Sequence, residues 1–256
     1  MSTFSTSSSS LFDHLLELRN RLLRALLCIL LVFCSLVYFA QDLYQYLALP
    51  LLAAMPAGSQ MIATDVASPF FAPFKLTIVL SVFIAMPFLL YQIWSFVAPG
   101  LYQNEKRLIV PLMVASTVLF YSGIAFAYFA VFPVVFTFFT SVAPEGVVIA
   151  TDISSYLDFV LKLFFAFGMA FEIPVVIILL CWTGVTTPKR LREKRPYVIV
   201  GAFVVGMLLT PPDIISQTML AVPMLLLFEL GIMIAALYYK ENKEDKEEIN
   251  NVKNNQ

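Results

Sequence analysis

Charge is what this 256-residue chain has least of. Lys, Arg, Asp and Glu together make up 13% of it, against roughly 25% in an ordinary soluble domain. Hydrophobic residues make up 60%, and the mean hydropathy is +0.86. A water-soluble globule of this size could not hide that much apolar surface. The same composition excludes a disordered chain. Histidine is almost missing, with His14 alone. That excludes an H-E-x-x-H zinc site and a Ser–His pair inside a membrane. The three cysteines, Cys28, Cys34 and Cys181, sit singly in apolar runs at no metal-ligand spacing and read as small buried hydrophobes. Nine glycines are scattered, and no G-x-x-x-x-G-K-[ST] phosphate loop occurs. The net charge of −1 offers nucleic acid nothing. The expectation is a protein without metal or cofactor, and not an enzyme.

What is present is long apolar sequence. A membrane-crossing helix needs roughly 20 apolar residues. Six runs qualify or nearly so: 22–40, 70–98, 108–142, 156–183, 196–210 and 214–239. They are continuous rather than alternating, which rejects a β-barrel. Pro87, Pro133 and Pro174 fall inside the second, third and fourth runs and should kink or break them. The fifth run has 15 residues, about 22 Å of helix against a core of about 30 Å. The sixth is interrupted by Gln217 and Glu229. Two short spans side by side thin the bilayer locally, unless neighbouring helices cover their ends.

Orientation follows from the basic residues. Fourteen of the sixteen lysines and arginines lie before or in the first turn of span one, between spans two and three, between four and five, or after six. The opposite loops, 41–69, 143–155 and 211–213, hold none. By the positive-inside rule both termini are cytoplasmic. The domain reading is a cytoplasmic N-terminal segment at 1–21, one six-helix transmembrane domain at 22–239, and a cytoplasmic tail at 240–256 whose Lys, Glu and Asn read as disordered. The Ser-rich first ten residues lack the basic stretch of a cleavable signal and read as a flexible tail.

Polar groups inside a membrane are costly, and so are candidates for function. Glu172 in span four has no basic neighbour in sequence. It reads as a carboxyl facing a cavity, with burial favouring its protonated form, or as an interhelical hydrogen-bond group. Glu229 and Gln217 in span six could face the same cavity. Asp213 after Pro211 and Pro212 reads as the cap of span six. On the cytoplasmic face, Glu17 lies among Arg19, Arg21 and Arg24, and Glu105 beside Lys106 and Arg107. Such carboxylates either pair locally or offer themselves to a cationic partner, an arginine pair best of all.

The stretch His14-Leu15-Leu16-Glu17-Leu18-Arg19-Asn20-Arg21-Leu22 resembles the H-L-x-E-L-R-x-R-L signature at the start of TatC proteins. The residues from Gln92-Ile93-Trp94-Ser95-Phe96 through Pro99-Gly100-Leu101-Tyr102 to Glu105-Lys106 look like that family's first cytoplasmic loop. Phe171-Glu172-Ile173-Pro174, Pro212-Asp213 with Gln217, and the outer-loop exit Pro69 to Leu76 are similar too, so the match covers about residues 11–240.

The resemblance implies an all-α integral membrane protein, with six transmembrane helices in a glove-shaped, concave bundle. It implies a receptor for signal peptides bearing consecutive arginines on folded cargo, working in an oligomeric complex with single-span TatA-type and TatB-type partners. Transport is driven by the proton-motive force across a bacterial inner membrane. By the match, Phe96 and Glu105 lie at the twin-arginine site, with Glu17 and Arg19 beside them. Pro50 corresponds to an outer-loop proline. Glu172 and Gln217, and with them Glu229, face the groove. Two other readings stand beside this one: a proton-coupled transporter of small solutes using Glu172 and Glu229, and a scaffold with no ligand.

Overall fold

The computed structural model describes residues 5–55, 60–97, 109–142, 150–209 and 214–254. Among them the regular structure is helical, apart from one parallel bridge between Ile62 and Asp152. Helix α1 (Ser5–Leu36) runs through a tight turn at Val37–Phe39 into α2 (Ala40–Ala54). Helices α3 (Ser68–Ile84) and α4 (Met86–Val97) meet at Ala85 with a 48° bend. Helices α5 (Ile109–Phe126) and α6 (Phe132–Ser141) are joined by a widened turn at Ala127–Val131. Then come α7 (Ile153–Phe171), α8 (Ile173–Trp182), α9 (Pro188–Glu193), α10 (Arg195–Leu209) and α11 (Ile214–Asn254).

The breaks sit where proline puts them. Pro87 is the second residue of α4, just past the bend. Pro133 follows the widened turn, where the Phe132 N–H bonds Ala127 O, five residues back. Proline has no N–H to give and its ring crowds the carbonyl four residues earlier, so the extra residue relieves a clash. Pro174 is the second residue of α8, after a turn at Glu172. The far end of α8 closes at Gly184, whose φ of +73° is the left-handed conformation glycine adopts without strain.

Four helical stretches are long and apolar enough to cross a bilayer: Leu15–Ala54, Val110–Ser141, Ile153–Trp182 and Gln217–Leu237. The bent α3–α4 pair makes a fifth. The short stretch expected at 196–210 is α10, with 15 residues. Past the tight turn at Val37–Phe39 the chain continues as α2, so Pro50 lies in a helix. One difference from the sequence reading stands out: α11 remains helical to Asn254, through the segment whose composition reads as disordered. Lys and Glu are good helix formers.

The chain divides into two compact parts. The first is Met1–Leu49, Met61–Thr117 and Asp152–Leu157. In it α1 packs on α3 and α4, with Phe33 edge-on to Phe74 at 5.2 Å. Leu76, Thr77 and Ser81 are fully buried, the two hydroxyls donating to Pro73 O and Thr77 O of their own helix. Much of α1 is exposed leucine, the face a helix turns to lipid. Cys34 is exposed on it and Cys28 half-buried, so of the three cysteines only Cys181 fits the buried reading. The second part is Pro50–Gln60, Val118–Thr151 and Asp158–Gln256. Its core is aromatic, with Phe132 against Phe164 at 5.1 Å and Phe126 against Phe167 at 5.5 Å.

Candidate functional site

In the first part, Glu17 and Arg21 are one turn apart on α1, and an i,i+4 spacing brings them together. Arg21 Nε and Nη2 donate to Glu17 Oε1 at 3.0 and 2.5 Å. The same guanidinium reaches α4: Nη1 donates to Gln92 Oε1 at 3.4 Å and Gln92 O at 3.5 Å, and Nη2 to Ser95 O at 3.2 Å. Ser95 lies in the last turn of α4, where carbonyls lack helical partners and the dipole favours a cation. Arg21 therefore caps α4 and fixes Glu17 beside its end. The Arg21 side chain is 19% exposed and that of Glu17 40%, so the carboxylate stays open to solvent while its anchor does not. Among the described residues, Glu17 Oε1 alone is engaged, which leaves Oε2 for another donor. Phe96, half-buried, follows Ser95 directly. Arg19 is exposed, and its side chain only grazes Asn20 at 3.4 Å. Glu105 and Asp213 lie outside the described residues.

Tyr44, Asp152 and Thr64 form a second polar knot in the same part. Asp152 is the N-cap of α7: its Oδ2 accepts from Ser155 N at 2.9 Å and Ser155 Oγ at 3.0 Å. Its Oδ1 accepts from Thr64 N at 3.1 Å and Thr64 Oγ1 at 2.8 Å. Two backbone N–H groups and two hydroxyls favour the ionised carboxylate and hold its pKa well below the usual range. Tyr44 donates to Ile153 O at 3.0 Å and Tyr156 to Leu47 O at 2.6 Å, tying α2 to the start of α7.

In the second part, Glu172 sits at the α7–α8 turn with its Oε1 buried. Gln217 on α11 donates from Nε2 to Phe203 O of α10 at 2.7 Å. Gly206 faces it so closely that a Cβ there would stand 3.1 Å from Gln217 Cγ. Glu229 has a partner the sequence reading did not supply: Arg195 Nη2 lies 2.5 Å from its Oε2. Glu229 is thus a compensated charge between α10 and α11, and not the lone membrane carboxylate that a proton-carrying role supposes. Pro50 is half-buried within α2. No group of three or more His, Cys, Asp or Glu poised for a metal occurs among the described residues.

The sequence profile of the family described as Sec-independent protein translocase protein (TatC) matches residues 13–223. The chain belongs to the TatC family. A TatC protein of Haemophilus influenzae is 62% identical over 95% of this chain and 94% of its own length. That of Escherichia coli K12 is 57% identical over 93% and 92%. A crystal structure titled as the twin-arginine translocase receptor TatC superposes with a TM-score of 0.78 and 38% identity, covering 88% of this chain and 98% of that one. Membership in a translocase family favours the translocation reading over the solute transporter. The local pairing expected of Glu17 is made by Arg21, at the i,i+4 spacing, while the reach of Arg21 to Gln92 and Ser95 has no signal in the spacing.

Proposed function

We propose that this chain is the receptor subunit of a twin-arginine protein translocase. It binds the consecutive arginines of signal peptides on folded cargo, at the cytoplasmic face of a bacterial inner membrane. The observation that carries the reading is the Glu17 carboxylate, held by Arg21 at the end of α4 next to Phe96, with one oxygen engaged and the group open to solvent. A guanidinium binds a carboxylate by paired hydrogen bonds that an ammonium does not reproduce, which gives Arg-Arg an advantage over Lys-Lys. A charged pair cannot enter hydrocarbon cheaply, so it stays at the surface while the apolar part of the signal enters the bundle.

Glu105 supplies a second carboxylate, and Arg19 the flanking charge. Glu172, Gln217 and Glu229 form the polar wall past which the apolar segment slides, and Pro50 shapes the outer face. The topology is six spans with both termini cytoplasmic: the stretches described above, with α3–α4 as one span and α10 as the short fifth. Single-span TatA-type and TatB-type proteins complete an oligomeric complex that uses the proton-motive force. The short α10 and the start of α11 provide the edge at which partner helices hydrogen-bond.

The test is binding of a fluorescent twin-arginine signal peptide to the purified chain, compared with its Lys-Lys counterpart. Preference for Arg-Arg, lost in Glu17→Gln combined with Glu105→Gln, supports the reading. Undiminished binding by that double variant refutes the carboxylate role.

A further inference from the structure

The end of α1 remote from Arg21 gathers aromatic rings around one acid. The apolar run 22–40 is about the length of one bilayer crossing. Asp42 therefore stands just past the edge of the hydrocarbon, on the side that the proposed topology puts outside. It lies in the first turn of α2 and is exposed. Among the described residues it forms no ion pair and accepts no hydrogen bond from a side chain. The loops 41–69, 143–155 and 211–213 contain no lysine or arginine to neutralise it, and Lys75 on α3 is engaged elsewhere.

Two grooves open beside Asp42, and it lines both. The larger, of about 670 Å³, is walled by Leu36, Phe39, Leu43, Tyr46 and Leu49. Asp42, Tyr46 and Leu49 recur at spacings of four and three, so they share one face of α2. The smaller, of about 300 Å³, lies between the start of α2 and that of α3 and is walled by Tyr38, Phe70, Pro73 and Phe74. Phe70 stacks on Phe74 at 6.1 Å, and Phe33 meets Phe74 edge-on, which braces this wall. A hard metal ion takes six or more oxygens, and no group of three or more His, Cys, Asp or Glu occurs among the described residues. A basic soluble protein would answer the carboxylate and leave the leucine groove bare. A primary ammonium donates charge-assisted hydrogen bonds to a carboxylate, and the faces of tyrosine and phenylalanine attract it. Joined to an acyl chain, it suits both grooves at once.

We infer that the corner formed by the end of α1, the start of α2 and the start of α3 is a binding site for an aminophospholipid, whose ammonium group meets Asp42 beside Tyr38 and Phe70 while an acyl chain lies in the groove of Leu36, Leu43 and Leu49. The site uses none of the residues of the signal-peptide reading, so either one stands if the other fails.

Native mass spectrometry of the full chain in detergent, titrated with phosphatidylethanolamine or phosphatidylglycerol of the same acyl chains, tests it. The expected result is preferential retention of phosphatidylethanolamine. Asp42→Asn, which keeps the shape and removes the charge, lowers that affinity about fivefold. Tyr38→Leu lowers it about two- to fivefold with the acid in place. Asp65→Asn, which removes another exposed acid from the same loop, leaves it unchanged. Thermal melting confirms that each variant is folded, and the comparison of the two lipids on the unaltered chain needs no variant at all. Equal retention of the two lipids overturns the proposal. So does a folded Asp42→Asn or Tyr38→Leu chain that retains phosphatidylethanolamine as the wild type does, or an equal loss in Asp65→Asn. Displacement of the lipid by an equal concentration of free ethanolamine also overturns it, since the corner would then be a site for free amines.

Discussion

Replacing Arg21 by lysine keeps the charge and removes the fork, and the structure says what that costs. The guanidinium serves two helices at once through three nitrogens. One ammonium can stay with Glu17 or turn to the α4 carbonyls, but cannot serve both. If it stays with Glu17, the α4 contacts go. These are long, at 3.2 to 3.5 Å, so each lies at the weak end of the net value of about 0.5–1.5 kcal/mol for a hydrogen bond. Losing the cation at the end of α4 removes about 0.3–1 kcal/mol more. Arg21→Lys should therefore destabilise by about 2 kcal/mol, or roughly 4–8 °C in melting temperature for a chain of this size. Glu17→Gln removes a pair that is partly solvated, worth at most about 1 kcal/mol. The two residues touch, so a double-mutant cycle should return a coupling of about 0.5–1 kcal/mol in melts monitored by circular dichroism in micelles. Twin-arginine peptide affinity should drop in Arg21→Lys as well, because Glu17 loses its fixed position. Unchanged melting and unchanged peptide affinity in Arg21→Lys, or additive effects in the cycle, would refute the capping argument.

Two further outcomes follow from the packing and the polar knot. At Gly123 an added Cβ would lie 2.5 Å from Phe167 O and 2.9 Å from Phe167 C, both backbone atoms, whereas at Gly201 nothing stands within 4 Å. Gly123→Ala should force the helices apart and cost about 1–3 kcal/mol, while Gly201→Ala should be neutral or slightly stabilising through helix propensity; equal melting of the two variants would contradict this. Asp152 has a depressed pKa in the folded chain, so its contribution is fully present above the ordinary aspartate value of about 3.9 and is lost as pH falls below that toward the lower folded value. Asp152→Asn should lower the melting temperature at neutral pH and flatten the acid limb of the pH–stability curve, and an unaltered acid limb would remove Asp152 from the account.

The spans and their interruptions were legible because they depend on local chemistry. Pro87, Pro133 and Pro174 break or widen helices within a residue or two of where a missing N–H requires it. The Glu17–Arg21 contact was within reach too, since i,i+4 is a property of one helix. The partners that complete each site were not. Gln92 lies 71 residues from Arg21, Thr64 lies 88 from Asp152, and Arg195 lies 34 from Glu229. No periodicity carries such pairings, which depend on how the helices stack. Ala40–Ala54 is apolar enough with good helix formers to carry on past the tight turn at Val37–Phe39, and proline within it does not stop it.

The long reach of the Asp152 knot bears on how the chain is assembled. Its donors come from residue 64 and from residue 155, so it closes a loop holding the bent pair α3–α4 and all of α5 and α6. A ribosome must deliver every residue between before the knot can form. The Arg21 clasp needs only the chain as far as Ser95. Synthesis from the N-terminus thus makes the α1–α4 joint available first and the Asp152 joint only after α7 has begun. The first is a hinge for the growing hairpin. The second is a seal that stays open until the intervening helices have been made.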